Sequence, residues 1–218
     1  MAKKAIIAGV SGLTGGCLLD LLLQQTTYDE VLVLVRKKLA IKHNKLTQLV
    51  VDFDKPEKYS AQITGDALFC CLGSTRKKTP DLIDYRKVDH DYPLQLAQFA
   101  LKNGVSQFHL VSAIGANAKA SNFYSKMKGE TEDDIIKVGL PCLHIYQPSF
   151  IAGDRNEHRP VEKFLNRLIK FVNPLLIGKL KKYRSIAAKT IASAMYKQSI
   201  KNETGVHIYS SDKIKELS

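Results

Sequence analysis

Apolar positions along the chain follow two alternating patterns. Short apolar runs stand at Ala5–Ala8, Val31–Val35 and Ala67–Leu72, and Phe108–Val111 and Cys142–Tyr146 are apolar but for one histidine each. Between them apolar residues recur every three or four positions, as in Leu13, Cys17, Leu18, Leu21 and Leu22, or in Leu94, Ala97, Ala100 and Leu101. Uninterrupted apolar runs suit strands of a parallel sheet that is covered on both faces, and the three-to-four spacing suits amphipathic helices. The pattern predicts strands over residues 5–8, 30–35, 46–51, 67–72, 108–111, 142–146 and 206–209. Helices are expected from near Thr14, over 88–102, from a cap at Ser121 or Asn122 to Val138, and over 186–200. Asn103-Gly104 and Gly139 with Pro141 end two of them. Strand alternating with helix gives an α/β fold, a Rossmann-type doubly wound parallel sheet of about seven strands in a single domain over residues 1–218. Residues 151–184 fit this scheme least. They begin with Asp154, Arg155, Glu157, His158, Arg159 and Pro160 and continue into an amphipathic stretch with Phe164, Leu165, Leu168, Ile169 and Phe171. They are expected to cover a substrate cleft.

The period changes from strand to helix at Gly9, Gly12 and Gly15. A turn here must reverse the chain, bring backbone N–H groups near an anion and seat a helix against its strand, and side chains obstruct each task. The first turn of the helix leaves amides unpaired at the positive end of its dipole, and Ser11 and Thr14 add hydroxyl donors, so the turn is suited to a pyrophosphate. At the end of the second strand, where a carboxylate would select a free ribose 2′-hydroxyl, stand Arg36 and Lys37. A planar guanidinium with a second cation suits a 2′-phosphate, which points to NADP(H).

The chain has 218 residues and a formal net charge of +12. Such charge suits an acidic small molecule, a nucleic acid or a membrane surface, but no nucleic-acid-binding module is recognisable and no apolar run reaches the ~20 residues of a membrane span. Cys17, Cys70, Cys71 and Cys142 show neither metal-ligand nor redox spacing and are read as reduced core residues. The first strand begins within a few residues of Met1, so no leader is discernible and a cytoplasmic location is expected. A monomer or homodimer is compatible with these features, and a protein partner stays open.

Tyr124 and Lys128, four residues apart, share one helix face, and Ser112 ends the strand before that helix. An ammonium beside a phenol favours the phenolate, so Lys128 is expected to bring the tyrosine from its ordinary pKa of ~10 towards neutrality.

Taken together, the glycine turn, this Ser-Tyr-Lys set and the strand count resemble the short-chain dehydrogenase/reductase superfamily. Phe69-Cys-Cys-Leu-Gly-Ser-Thr-Arg76, Val88-Asp-His-Asp-Tyr92, Gly115–Phe123 and Asp154-Arg-Asn-Glu-His-Arg-Pro160 resemble its atypical branch of HIV Tat-interacting-protein-like oxidoreductases. The resemblance implies strand order 3-2-1-4-5-6-7 and an NADPH site. It makes Gly9, Ser11, Gly12, Leu13, Thr14 and Gly15 the pyrophosphate loop, Arg36 and Lys37 the 2′-phosphate site, and Asp52 a neighbour of the adenine. Leu72 and Gly73 flank the adenosine ribose, and Pro148, Ser149 and Phe150 frame the nicotinamide. Tyr124 is implied as proton donor, Lys128 as its partner and ribose anchor, and Ser112 as donor to a substrate carbonyl. The function so implied is NADPH-dependent hydride transfer to a carbonyl or related small molecule. A regulatory protein that senses NADP(H) occupancy through a partner is the alternative.

Overall fold

A computed structural model describes residues 3–152, 178–201 and 203–218. Seven parallel strands form the main sheet: β1 (Lys4–Ala8), β2 (Glu30–Val35), β3 (Leu46–Val50), β4 (Ala67–Cys70), β5 (Gln107–Val111), β6 (Cys142–Gln147) and β9 (Gly205–Ser210). Their order is β3-β2-β1-β4-β5-β6-β9, so with β9 as the seventh strand of the sheet it is the expected one. β7 (Ile151–Ala152) and β8 (Ile186–Ala187) pair separately.

The period-2 geometry of the strands divides the core. Ala5 and Ile7 of β1 with Val31, Val33 and Val35 of β2 face α1 (Leu13–Gln24), where they join Leu18, Leu19 and Leu22. The same layer holds α5 (Ala188–Ser199) and α6 (Ser211–Leu217), through Ile191, Met195 and Ile214. Ile6, Ala8, Leu32 and Leu34 face the opposite way, towards Leu96, Ala97 and Ala100 of α3 (Tyr92–Lys102) and Ile135 of α4 (Phe123–Lys137). Burial on both sides is what makes β1 and β2 apolar at every position after their first residues, Lys4 and Glu30. At the rims the second face opens, leaving Val50 of β3 and Val206 and Ile208 of β9 exposed.

The helix expected from residue 88 differs in its beginning. α2 (Leu82–Arg86), capped by Asp81, which accepts from the Ile83 and Asp84 amides, runs into a π-helical turn over Lys87–Asp91 before α3 starts. Pro93 supplies the reason: lacking an N–H, it cannot donate to the carbonyl of Asp89 four residues earlier. That carbonyl accepts from Thr131 Oγ1 on α4 instead (3.2 Å). The helix expected over 186–200 divides into β8 and α5, and α6 was not foreseen. Asn122 is the cap of α4, accepting from the Ser125 amide at 2.8 Å.

β5, β6 and β9 carry a further construction. Phe69, His109, His144 and His207 occupy one row across the sheet, partnered strand to strand. Their rings stack with centroids 4.6, 4.5 and 5.0 Å apart. Gln107 donates its amide nitrogen to the Lys201 carbonyl, so its oxygen faces His109 and accepts from Nε2–H, while Tyr146 O–H donates to His109 Nδ1 (3.1 Å). His144 is held in the same manner between Cys142 Sγ (3.1 Å) and the Tyr209 hydroxyl (2.9 Å). His109 and His144 are fully buried, and burial pulls both below the ordinary histidine pKa, His144 to about 4.

Candidate functional site

The strand order reverses direction at β1 and β4, and the carboxyl ends of these strands form the crevice where the predicted nucleotide turn lies. Each glycine of that turn has a separate reason. Gly9 has φ +92°, and a Cβ there would stand 2.4 Å from the Cys71 carbonyl oxygen, so the turn presses on the chain leaving β4. A Cβ at Gly15 would lie 2.3 Å from the Gly9 carbonyl oxygen, which seats α1 directly on the turn. Gly12 is different: it is exposed, and a Cβ there would meet only the Gly9 oxygen, at 3.3 Å. Internal packing thus demands glycine at 9 and 15 but scarcely at 12, where the space belongs to whatever approaches from outside.

Gly12 is also the N-cap of α1, with no side-chain cap and no acidic residue in the first turn. The first-turn amides at Leu13, Thr14 and Gly15 therefore have no side-chain acceptor at the cap, beside the exposed Ser11 and the buried Thr14. At the end of β2, Arg36 and Lys37 are exposed and make no hydrogen bond or ion pair among the described residues. An uncapped helix start, an open glycine and two unpaired cations fit a dinucleotide carrying phosphates.

The other expected cofactor positions divide. Leu72 and exposed Gly73 lie directly after β4, on the chain that Gly9 touches. Asp52 is occupied within its own turn, accepting from the Asp54 amide and pairing with Lys55 at 3.3 Å, both of which hold its pKa below the ordinary range. Buried Ser149 is tied down as well: its hydroxyl bonds the Arg184 carbonyl and lies 3.0 Å from Ser211 Oγ. Pro148 is buried and its carbonyl accepts from the Ile114 amide, whereas Phe150 is exposed. Of the expected cleft cover, residues 153–177, with the Asp154–Pro160 motif and the amphipathic stretch, lie outside the described residues.

Ser112, Tyr124 and Lys128 sit at the end of β5 and along the first turns of α4. Lys128 is 4 % exposed, and its ammonium lies 2.8 Å from Oδ1 of Asp89, itself 1 % exposed. Burial alone would lower the lysine pKa, but Asp89, aided by Tyr124, outweighs it and the ammonium stays charged. Asp89 Oδ2 accepts from the Ser74 amide at 2.7 Å, which links the lysine to the loop after β4. The expected tuning of Tyr124 is corrected by its surroundings, with Asp89 a contributor. Tyr124 is 41 % exposed, its ring reaching solvent, yet the protein packed around its phenol raises the pKa most, Lys128 lowers it, Asp89 raises it again, and the net direction is upward. Desolvation, with Asp89 adding to it, outweighs the ammonium, and the phenol keeps its proton at neutral pH.

Ser112 is buried, and its hydroxyl donates to Glu132 Oε1 on α4. Gln147 donates its amide to both oxygens of that carboxylate, at 2.8 and 3.1 Å. Asp89, Glu132 and Gln147 were missed by sequence reading. A signal existed for one of them, since Tyr124, Lys128 and Glu132 succeed one another at four-residue spacing on one helix face. Backbone geometry keeps the group together: a Cβ on Gly129 would lie 2.1 Å from the Ala118 nitrogen and 2.2 Å from the Asn117 carbonyl carbon, so α4 rests directly on the loop that follows Ser112.

Among the described residues no helix is long and apolar enough to cross a membrane, and no cluster of side chains could hold a metal ion. The four cysteines are free.

Residues 9–141 match the model of a family described as NAD(P)H-binding. Protein HTATIP2 of Rattus norvegicus is 37 % identical over 164 residues, covering 73 % of this chain and 67 % of that protein. Protein FMP52, mitochondrial, of Eremothecium gossypii is 29 % identical over 171 residues, 76 % of each chain. Among solved structures, the Bordetella bronchiseptica enzyme WbmH in complex with NAD+ superposes with a TM-score of 0.74 at 20 % identity, covering 99 % of this chain and 79 % of the other, which speaks for the fold. The cytoplasmic expectation is overturned: several fungal relatives are named mitochondrial. A family match over more than half its length, with the identity to HTATIP2, establishes that the chain belongs to the NAD(P)H-binding family and, within it, to the HTATIP2-like branch of the atypical short-chain dehydrogenases/reductases.

Proposed function

We propose that the chain is an NADP(H)-dependent oxidoreductase that reduces a carbonyl or related small molecule, with Tyr124 as proton donor, Lys128 as its charged neighbour and Ser112 as the hydroxyl facing the substrate oxygen. The carrying observation is that a phenol held in its protonated form stands one helical turn from a buried ammonium, at the edge of the nucleotide crevice. NADPH, when bound, supplies the hydride. Ser11, Thr14 and the open position at Gly12 support pyrophosphate binding, and the unpaired Arg36 and Lys37 favour the 2′-phosphate of NADP(H) over NAD(H). Leu72, Gly73 and Phe150 are the remaining positions proposed to line the nucleotide. Asp52 and Ser149, engaged elsewhere, contribute backbone or shape. For compartment the reading follows the fungal relatives, whose names say mitochondrial.

Within this reading the phenol, protonated at neutral pH, gives its hydrogen to the oxygen that gains negative charge as the carbonyl is reduced, and the phenolate so formed takes the proton back in the reverse direction. Lys128, fixed by Asp89 and through it by Ser74, holds positive charge near the phenol without itself losing a proton.

A second reading, NADP(H) sensing through a partner, draws on two commitments of the same residues: Ser112 spends its hydrogen on Glu132, and Lys128 its ammonium on Asp89. A carbonyl panel with NADPH oxidation as readout separates the two. Turnover that falls roughly 100-fold or more in Tyr124→Phe while NADPH still binds supports the enzyme. Turnover that survives the substitution removes Tyr124 as the acid, and a panel without any response favours the sensor.

A further inference from the structure

Glu132 lies one turn beyond Lys128 on α4 and is 6 % exposed. Its Oε1 accepts the Ser112 hydroxyl, and its Oε2 accepts the shorter of the two Gln147 bonds, 2.8 Å against 3.1 Å to Oε1. A serine hydroxyl has one hydrogen. While Glu132 is ionised that hydrogen is committed to Oε1, and Ser112 presents only lone pairs to the crevice. A carbonyl oxygen likewise offers only lone pairs, so the two cannot bond. With Oε2 engaged by Gln147, a proton arriving at Glu132 belongs on Oε1. There it donates to Ser112 Oγ, and the serine hydrogen is released to point elsewhere.

We propose that Glu132 is a positioning residue for Ser112, whose protonation turns the serine from an acceptor into a donor towards the substrate oxygen. The inference rests on the oxidoreductase reading above. The proton comes from solvent through a cleft of about 420 Å³ between the loop after β5 and α4, where Glu132 is among the lining residues with Asn117, Lys119, Gly129 and Asp133. It stays on Glu132 through turnover, and the proton consumed with the hydride is that of Tyr124.

The charges around Glu132 are known from each side. Lys128 and Asp133 share its helix, Asp89 stands behind Lys128 on the π-helical turn, Lys119 comes from the loop, and neutral Ser112 and Gln147 come from β5 and β6. Burial, ahead of the opposing pull of Ser112, Gln147 and Lys128, sets its pKa above the ordinary glutamate range.

Two measurements test the role. In the first, ¹³Cδ signals of labelled glutamates are followed with pH in the full chain without nucleotide, with Glu132 assigned by its loss in Glu132→Gln. Glu132 is expected to titrate above the other glutamates, and higher still in Ser112→Ala, because the serine bond favours the ionised form. An unchanged midpoint in Ser112→Ala overturns the coupling. In the second, kcat for 9,10-phenanthrenequinone reduction by NADPH is measured from about pH 5 to 9. Wild type is expected to lose activity tenfold per pH unit above the Glu132 midpoint. Glu132→Gln should lack that limb, since an amide N–H donates to Ser112 at every pH, and should overtake wild type at the alkaline end. A limb retained in the glutamine variant overturns the positioning role alone. Absence of turnover by wild type, on the quinone and on the carbonyl panel, overturns the oxidoreductase reading, and the positioning role falls with it.

Discussion

Lowering the pH from 7 to 5 should destabilise this protein through its two fully buried histidines, His109 and His144, and most measurably through His144. The residue is fully buried, stacked between His109 and His207, and its folded pKa is about 4. In the unfolded chain a histidine titrates near 6.5. The folded state therefore binds fewer protons below that value, and the stability is fully present above about pH 6.5, is lost as pH falls, and stops changing below about pH 4. Integrating the two titrations between pH 7 and 5 gives a loss of about 2 kcal/mol for His144 alone. For a domain of this size that corresponds to roughly 4–8 °C in Tm. His109, depressed well below its ordinary value by burial and by His144, acts in the same direction. Urea unfolding at both pH values measures the change. Carboxylates contribute to the same window, so the decisive comparison is His144→Phe, which keeps a ring in the stack and removes the titration. The variant should be less stable at pH 7, because Tyr209 and Cys142 lose their partner, yet its stability should fall by about 2 kcal/mol less on acidification. Equal losses in wild type and variant would refute the reasoning.

Gly12→Val should abolish NADPH binding in calorimetry while circular dichroism shows a folded chain, whereas Gly15→Val should lose folded protein, since a Cβ there meets backbone at 2.3 Å. Arg36→Asp should reverse the nucleotide preference, weakening NADPH and sparing NADH, and equal NADPH affinity before and after would remove the 2′-phosphate assignment. Asp89→Asn breaks a buried ion pair and should cost about 3–5 kcal/mol in denaturant unfolding. If it folds, the phenol of Tyr124, relieved of the carboxylate and facing an unopposed ammonium, should titrate lower than in wild type, as read from ¹³C-labelled tyrosine.

The sheet was legible because its strands announce themselves by apolar runs, and the nucleotide turn because glycines at 9, 12 and 15 interrupt the change from strand to helix. Lost to sequence reading were contacts between distant positions. Nothing at Asp89 tells that it faces Lys128, since the meeting depends on a π-helical turn that Pro93 makes favourable and on α4 lying alongside. The tuning of Tyr124 then came out with the opposite sign, because a spacing of four identifies the lysine and says nothing of the desolvation that outweighs it or of the carboxylate that adds to it. The histidine row left a trace that went unread: Phe108-His109-Leu110, Leu143-His144-Ile145 and Val206-His207-Ile208 repeat one pattern in three strands. Only the register of β5, β6 and β9 turns that repetition into a stack.

Gly129 sets a boundary for anyone who would redesign this protein. Because α4 touches the backbone of Asn117 and Ala118 with no side chain between, helix and loop share a single seating. Even the smallest added group at 129 must drive them apart, and the side chains on that helix would move with it. Substrate preference is therefore better altered at an exposed loop position such as Ser121 than by lengthening the loop at 117–118. A graft that respects the seam inherits the alignment of Tyr124, Lys128 and Glu132 intact, and one that crosses it must rebuild all three.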